Sequence, residues 1–288
     1  MEKAIKWDTQ ALALWTRQYA HGHIISLAGK QTHYAVKGTG RPVILIHGVF
    51  FDSLLWQHNM DALAESHCVY AIDLWGFGYS TRDVTASYEP YIEQLAAFMQ
   101  ALGLEKASFV GHSIGGGIAA LFSARFPEQV EKLVLVDSAG LANPEPFAAR
   151  FFKLPWIGEK LMNLPGDQLR LTMLKALFLH RAETLPPAQY RQLTWFHKIN
   201  GTTAVALAIM RHGFVDTLES TFRQLAKLNL PTMIIWGAQD RAIPLEIGQR
   251  MHQLLPGSTL ITIEEAGHLP NLEQSAAFDA HLTAFLNA

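Results

Sequence analysis

A chain of 288 residues, 49% hydrophobic and only 17% charged, can bury a full core and leaves little room for disorder outside its ends. A formal net charge of −2 with no Lys/Arg cluster argues against a nucleic-acid partner. The lone Cys68 excludes an internal disulfide, and in the apolar run 68–72 it reads as a buried structural thiol.

In chain order, Met1 to Asp8 lacks the basic-then-apolar layout of a secretory signal, and no stretch is long and apolar enough to span a bilayer. The expectation is a soluble cytoplasmic protein of a reducing compartment with no stable membrane insertion. Segment 4–19 sets Leu12, Trp15 and Tyr19 at helical spacing, a stripe better packed on its own domain than laid on a membrane. His21 and His23 read as a surface pair, because no carboxylate or cysteine cluster accompanies them. Strands are predicted at 23–28, 31–36, 43–46, 68–72, 107–111 and 132–136, with helices over 54–66, 89–102 and 114–126 between them. Such alternation implies a mostly parallel sheet with helices on both faces. From about 140 to 228 the pattern breaks into apolar helical stretches punctuated by Pro144, Pro146, Pro155, Pro165 and Pro186-Pro187. Strands resume at 232–236 and 259–263, with helices at 245–254 and 273–286. An α-helical insertion, 140–228, in a core of 1–139 and 229–288 explains this better than two independent domains.

The strand at 107–111 ends in Gly111-His112-Ser113-Ile114-Gly115 and a helix follows. A G-x-S-x-G run at a strand-to-helix turn can strain and expose one serine as a nucleophile. Alone the pattern is weak; roughly one unrelated chain of this length in ten carries it by chance. Its context is stronger. In an open parallel sheet, ligands bind beyond the carboxyl ends of the strands. There lie His47-Gly48-Val49-Phe50, the run from Asp73 to Ser80, Gly237-Ala238-Gln239-Asp240 and Gly267-His268. A serine hydroxyl needs a base near neutral pH, imidazole suits the task, and a carboxylate can hold the imidazole in its working tautomer.

On these motifs the chain resembles the α/β-hydrolase fold enzymes of the serine type over roughly 25–138 and 230–286. The resemblance implies Ser113 as nucleophile, His268 as base and Asp240 as orienting acid, in that chain order. Asp137, which also ends a strand, is the alternative acid. It further implies an oxyanion hole from the backbone N–H groups of Val49 and Ile114, a variable cap at 140–228, and no metal or organic cofactor. His47 is expected to support the oxyanion loop, and Asp73 with its glycines to shape a turn. Serine rather than aspartate at the elbow points to acyl chemistry, with hydrolysis of a small-molecule hydrophobic ester first. Phe151, Phe152, Trp156 and Leu161 of the apolar insertion fit a hydrophobic acyl or alcohol group, and Phe50, Phe51 and Trp75 are candidate pocket walls. The alternatives are carbon–carbon bond hydrolysis in a vinylogous diketone and a ligand-binding protein with little turnover. Relatives of the carbon–carbon kind tend to carry Asn before the serine and an aromatic after the histidine, where this chain has His112 and Leu269.

Overall fold

Continuous apolar runs need cover on both faces, and the central strands obtain it: Val43, Ile44, Leu45 and Ile46 are all fully buried. The computed structural model describes residues 5–143, 147–164 and 167–288, with side chains described except at 147–149 and 167–171. Met1–Ala4, Pro144, Pro146 and Pro165 therefore lie outside the described residues. Eight strands form one sheet: β1 (His23–Leu27), β2 (Lys30–Lys37), β3 (Arg41–Ile46), β4 (His67–Ile72), β5 (Ala107–His112), β6 (Val130–Val136), β7 (Thr232–Gly237) and β8 (Thr259–Ile263). Their order is β1-β2-β4-β3-β5-β6-β7-β8. β1 and β2 form an antiparallel hairpin, β2 meets β4 antiparallel, and all other pairs are parallel.

The flanking helices include α1 (Leu12–Tyr19), α2 (Gln57–Leu63), α3 (Glu89–Ala101) and α4 (Ile114–Arg125). Ten of the twelve α4 residues are buried, so this helix is apolar all round; Phe126-Pro127 ends it. Phe122 on α4 packs 4.9 Å from Phe109 on β5. Burying a ring of that size contributes about 1.5–3 kcal/mol. The predicted helix at 54–66 is a short 3₁₀ turn, Ser53–Trp56, followed by α2, because the Asp52 carboxylate caps the Leu54 N–H at 3.0 Å and tightens the entry.

Between β6 and β7 the chain is helical: α5 (Phe147–Lys153), α6 (Ile157–Met162), α7 (Asp167–Phe178), α8 (Pro187–Leu193), α9 (Thr202–His212) and α10 (Glu219–Leu225). After β7 come α11 (Leu245–Leu254), α12 (Pro270–Glu273) and α13 (Ser275–Asn287). The N-terminal segment is fastened to the inter-strand helices. The Asp8 N–H donates to the His197 carbonyl at 3.0 Å, and the Thr9 and Gln10 N–H groups both donate to the Lys198 carbonyl at 2.8 Å. The Lys198 ammonium sits 3.3 Å from the Trp7 ring centroid, and Trp15 packs 5.6 Å from Trp195. The Leu12-Trp15-Tyr19 stripe thus packs on its own chain. Cys68 is half-buried rather than buried, since its side chain alternates away from the core along β4.

Candidate active site

Ser113 stands between β5 and α4 with φ 55° and ψ −122°, in the left-handed half of backbone space that non-glycine residues avoid. Its N–H donates to the Val136 carbonyl at 2.9 Å, and its own carbonyl accepts the Ala139 N–H at 2.9 Å. The turn closes only because glycine lies beyond it. A Cβ on Gly115 would meet the Ile46 and His47 carbonyl oxygens at 2.5 and 2.6 Å. A Cβ on Gly48 would reach the Ser113 Cβ at 2.9 Å, so that glycine lets the loop after β3 run against the serine. The start of α4 points its partial positive charge at the same place.

Asp240 and His268, on the loops after β7 and β8, meet directly. His268 Nδ1 and Asp240 Oδ2 are 2.7 Å apart and both residues are buried. The other Asp240 oxygen accepts the Ala242 and Ile243 N–H groups at 2.7 and 3.0 Å. Gln239 joins the two loops, its N–H donating to the Ala266 carbonyl at 2.9 Å and its side-chain oxygen accepting the Ala266 N–H at 3.1 Å. Asp137 lies close by, with one oxygen accepting the Gly237 N–H at 2.8 Å. Burial, then repulsion from Asp240, pushes the Asp137 carboxyl well above its ordinary value. Asp137, Asp240 and His268 are also the one cluster of metal-ligand types among the described residues. The 2.7 Å contact between His268 and Asp240 leaves no room for an ion between those two atoms.

Ser113, His268, Val49 and Ile114 all line one cavity of about 210 Å³, together with Phe50, Lys153, Leu177, Asp216 and other residues. A second cavity of about 290 Å³ is lined by Phe50, Phe152, Met162, Met173, Leu174, Ala176, Leu177 and Met210, every one apolar. Phe50, Leu177 and Met210 are common to both linings, so the chambers share a wall.

Several expected walls lie elsewhere. Trp75 is buried with its indole N–H donating to Thr32 Oγ1 at 2.9 Å, and Phe51 is buried against His112 and Phe178. Neither lines a chamber, because both face the packing behind the loops. Of the insertion residues singled out in the sequence, Phe152 lines a chamber, whereas Phe151 and Trp156 are exposed and the half-buried Leu161 lines neither chamber.

His47 keeps its expected place. Its Nδ1 donates to the Gly48 carbonyl at 2.8 Å, its Nε2 accepts the Leu74 N–H at 2.9 Å, and burial pulls its pKa down, which keeps the ring neutral. Asp73 accepts N–H bonds from Ser53 and Tyr79 at 2.7 Å each. Three groups were not legible beforehand. His112 Nε2 donates to the His268 carbonyl at 2.7 Å, and burial followed by repulsion from His268 drives its pKa well below the ordinary value. Glu273 accepts N–H bonds from Gly267 at 2.7 Å and from His180 at 2.8 Å. His197 contacts the Phe50 carbonyl at 2.9 Å.

A sequence profile of the α/β hydrolase fold matches residues 41–275. The chain belongs to the α/β hydrolase fold family. Among α/β hydrolases it is 30% identical over 281 residues to a 2-hydroxymuconate semialdehyde hydrolase of Pseudomonas sp. strain CF600, covering 92% of this chain and 93% of that one. It is 28% identical to a 2-hydroxy-6-oxo-2,4-heptadienoate hydrolase of Pseudomonas putida, covering 93% and 96%. Lipase 3 of Moraxella sp. strain TA144 is 29% identical, covering 82% and 74%. Among solved α/β hydrolase structures, a meta-cleavage product hydrolase from Pseudomonas fluorescens IP01 superposes with a TM-score of 0.79 at 26% identity, covering 92% and 97%. The protein is a hydrolase of this fold.

Proposed function

We propose that the protein hydrolyses small carboxylic esters with a hydrophobic acyl or alcohol group, through an acyl-enzyme on Ser113. The observation that carries this reading is the strained Ser113 opening, beside the bonded His268–Asp240 pair, into a chamber that shares a wall with an all-apolar one. Ser113 Oγ attacks the acyl carbonyl while His268 Nε2 accepts its proton, and Asp240 stabilises the imidazolium that results. The N–H groups of Val49 and Ile114 hold the oxyanion, each donor contributing on the order of 3 kcal/mol. His268 then gives the proton to the departing alkoxide. Water, deprotonated by the same ring, attacks the acyl carbon and frees Ser113. Segment 140–228 serves as the cap, and the apolar chamber receives the hydrophobic group.

A second reading has an observation of its own. Lys153 lines the Ser113 chamber, where a cation suits a carboxylate-bearing substrate such as the heptadienoate named for one of the relatives. That reading is carbon–carbon bond hydrolysis by the same three side chains.

A fluorophosphonate probe and p-nitrophenyl esters of rising acyl length, applied beside Ser113→Ala, test the proposal. Labelling and turnover that vanish in Ser113→Ala support it; persistence in that variant overturns it. A labelled wild type that ignores every ester but cleaves a vinylogous diketone acid transfers the assignment to the second reading.

A further inference from the structure

The turn joining α5 to α6 presents apolar side chains on the wrong side for a core. Trp156 is 81% exposed, Phe151 and Leu154 are each 44% exposed and Ile157 is 42% exposed, four large apolar groups within seven residues. Single exposed apolar residues are ordinary, but a contiguous set marks a surface that meets something. Trp156 also has φ 69°, a backbone conformation unfavourable for so large a residue, and it stands where the indole is held into water. The turn is braced rather than loose. Arg211 donates to the Lys153 carbonyl at 3.1 Å and the Leu154 carbonyl at 3.2 Å, and grips both oxygens of Glu159 at 2.7 and 3.0 Å.

Charge narrows the partner. Segment 147–164 carries Arg150, Lys153 and Lys160 against the single carboxylate Glu159, which Arg211 already neutralises, in a chain whose net charge is −2. Arg150 and Lys160 are exposed on either side of the apolar group. An indole with aliphatic neighbours and flanking cations suits the boundary of an anionic lipid layer, where aromatic rings sit at headgroup level and basic residues meet the surface charge. A stable protein partner needs on the order of 1,000 Å² of buried interface, more than four side chains on one turn supply. The turn also lies on the back of the chambers, for Phe152 lines the apolar one and Lys153 the one holding Ser113.

We propose that residues 150–160 dock the protein on an anionic lipid–water interface, with Trp156 as the inserted residue. Resting on the ester reading, the docked orientation sets the apolar chamber beside the surface from which a hydrophobic substrate leaves the lipid.

Tryptophan fluorescence reads this directly, because Trp7, Trp15, Trp56, Trp75 and Trp236 are buried, Trp195 is half-buried, and Trp156 is the exposed one of the seven. The full chain, as wild type and as Ser113→Ala, is titrated with vesicles of phosphatidylglycerol and phosphatidylcholine and with phosphatidylcholine alone, each with and without brominated lipid. The expected result is a blue shift and bromine quenching on the anionic vesicles, loss of both in Trp156→Ala, and affinity at least fivefold weaker in Arg150→Gln/Lys160→Gln. An unchanged circular-dichroism spectrum and melting temperature show that Trp156→Ala folds, whether or not any ester is turned over. Absence of vesicle binding, equal binding by Trp156→Ala, or a blue shift that follows protein concentration without lipid overturns the proposal, the last in favour of a second copy. Binding by Ser113→Ala needs no turnover, so a chain that binds vesicles yet spares every ester loses only the ester reading.

Discussion

His197 Nε2 donates a hydrogen bond of 2.9 Å to the carbonyl of Phe50, and the two rings stack with centroids 6.1 Å apart. Phe50 directly follows Val49, has φ 72°, and is held from above by a residue of the helical segment. A buried carbonyl that loses its donor costs about 1–3 kcal/mol, and here the loop can recover it only by shifting. His197→Ala is expected to lower kcat roughly tenfold, with about a 1.4 kcal/mol loss in preorganisation, while KM for a short ester stays nearly constant. His197→Gln, which keeps a donor, should recover part of kcat. Steady-state kinetics of the three proteins check this; a rise in KM alone would show that His197 acts on binding instead.

The two carboxyls beside His268 should respond differently to amide substitution. Asp240→Asn removes the acceptor that orients Nδ1 and is expected to lower kcat/KM by on the order of 10⁴. Asp137→Asn should cost less than roughly tenfold, since an amide oxygen can still accept the Gly237 N–H. Stability gives an independent reading. The folded-state pKa of Asp137 is raised, so its contribution is complete below the ordinary carboxyl range and is lost as pH climbs through the raised value. Asparagine has no such loss. Melting temperatures from acid to alkaline pH should therefore show Asp137→Asn gaining on the wild type as pH rises; parallel curves would mean that Asp137 is ionised in the fold.

Backbone strain at Ser113 can be measured by removing its Cβ. A non-glycine residue at φ 55° costs about 1–3 kcal/mol, offset in glycine by roughly 0.5–1 kcal/mol of unfolded-state entropy. Ser113→Gly is expected to be inactive yet about 1 kcal/mol more stable than Ser113→Ala, a rise in Tm of roughly 2–4 °C. Equal melting temperatures would place no strain at the elbow.

The apolar chamber makes a prediction about chain length. Leu174 lines that chamber and is absent from the lining shared with Ser113. Leu174→Trp fills part of about 290 Å³ and should cut kcat/KM for an octanoyl ester at least tenfold while leaving the acetyl ester within twofold. Equal losses on both esters would mean that the hydrophobic group lies elsewhere.

The sheet was legible because strands covered on both faces must read as unbroken apolar runs. Val43 to Ile46 on β3 form one such run, and Leu133, Val134, Leu135 and Val136 on β6, all fully buried, form another. Ser113 and Asp240 were legible because each follows such a run, whereas His268 follows the partly exposed β8, Thr259–Ile263, and was legible from its Gly267-His268 pair. Side-chain direction was not. Phe151 and Phe152 are adjacent in sequence, yet one meets water and the other a chamber, and composition treats them alike. The supporting groups were hidden for another reason. His112 and the His268 carbonyl are 156 residues apart, His197 and Phe50 147, and no local pattern announces a bond between them.

The strap formed by Asp8, Thr9 and Gln10 bears on how the molecule is made. These residues leave the ribosome well before their partners at His197 and Lys198, which follow α8 and precede α9 and α10 among the helices between β6 and β7. Thr203 donates to Asp8 across 195 positions. Local elements can form long before that, whereas closing so wide a loop draws on chain entropy that is repaid only once both distant parts are present and packed. The strap is thus a late fastening, and the loop beside Val49 reaches its working shape only when the chain's two distant parts have found each other.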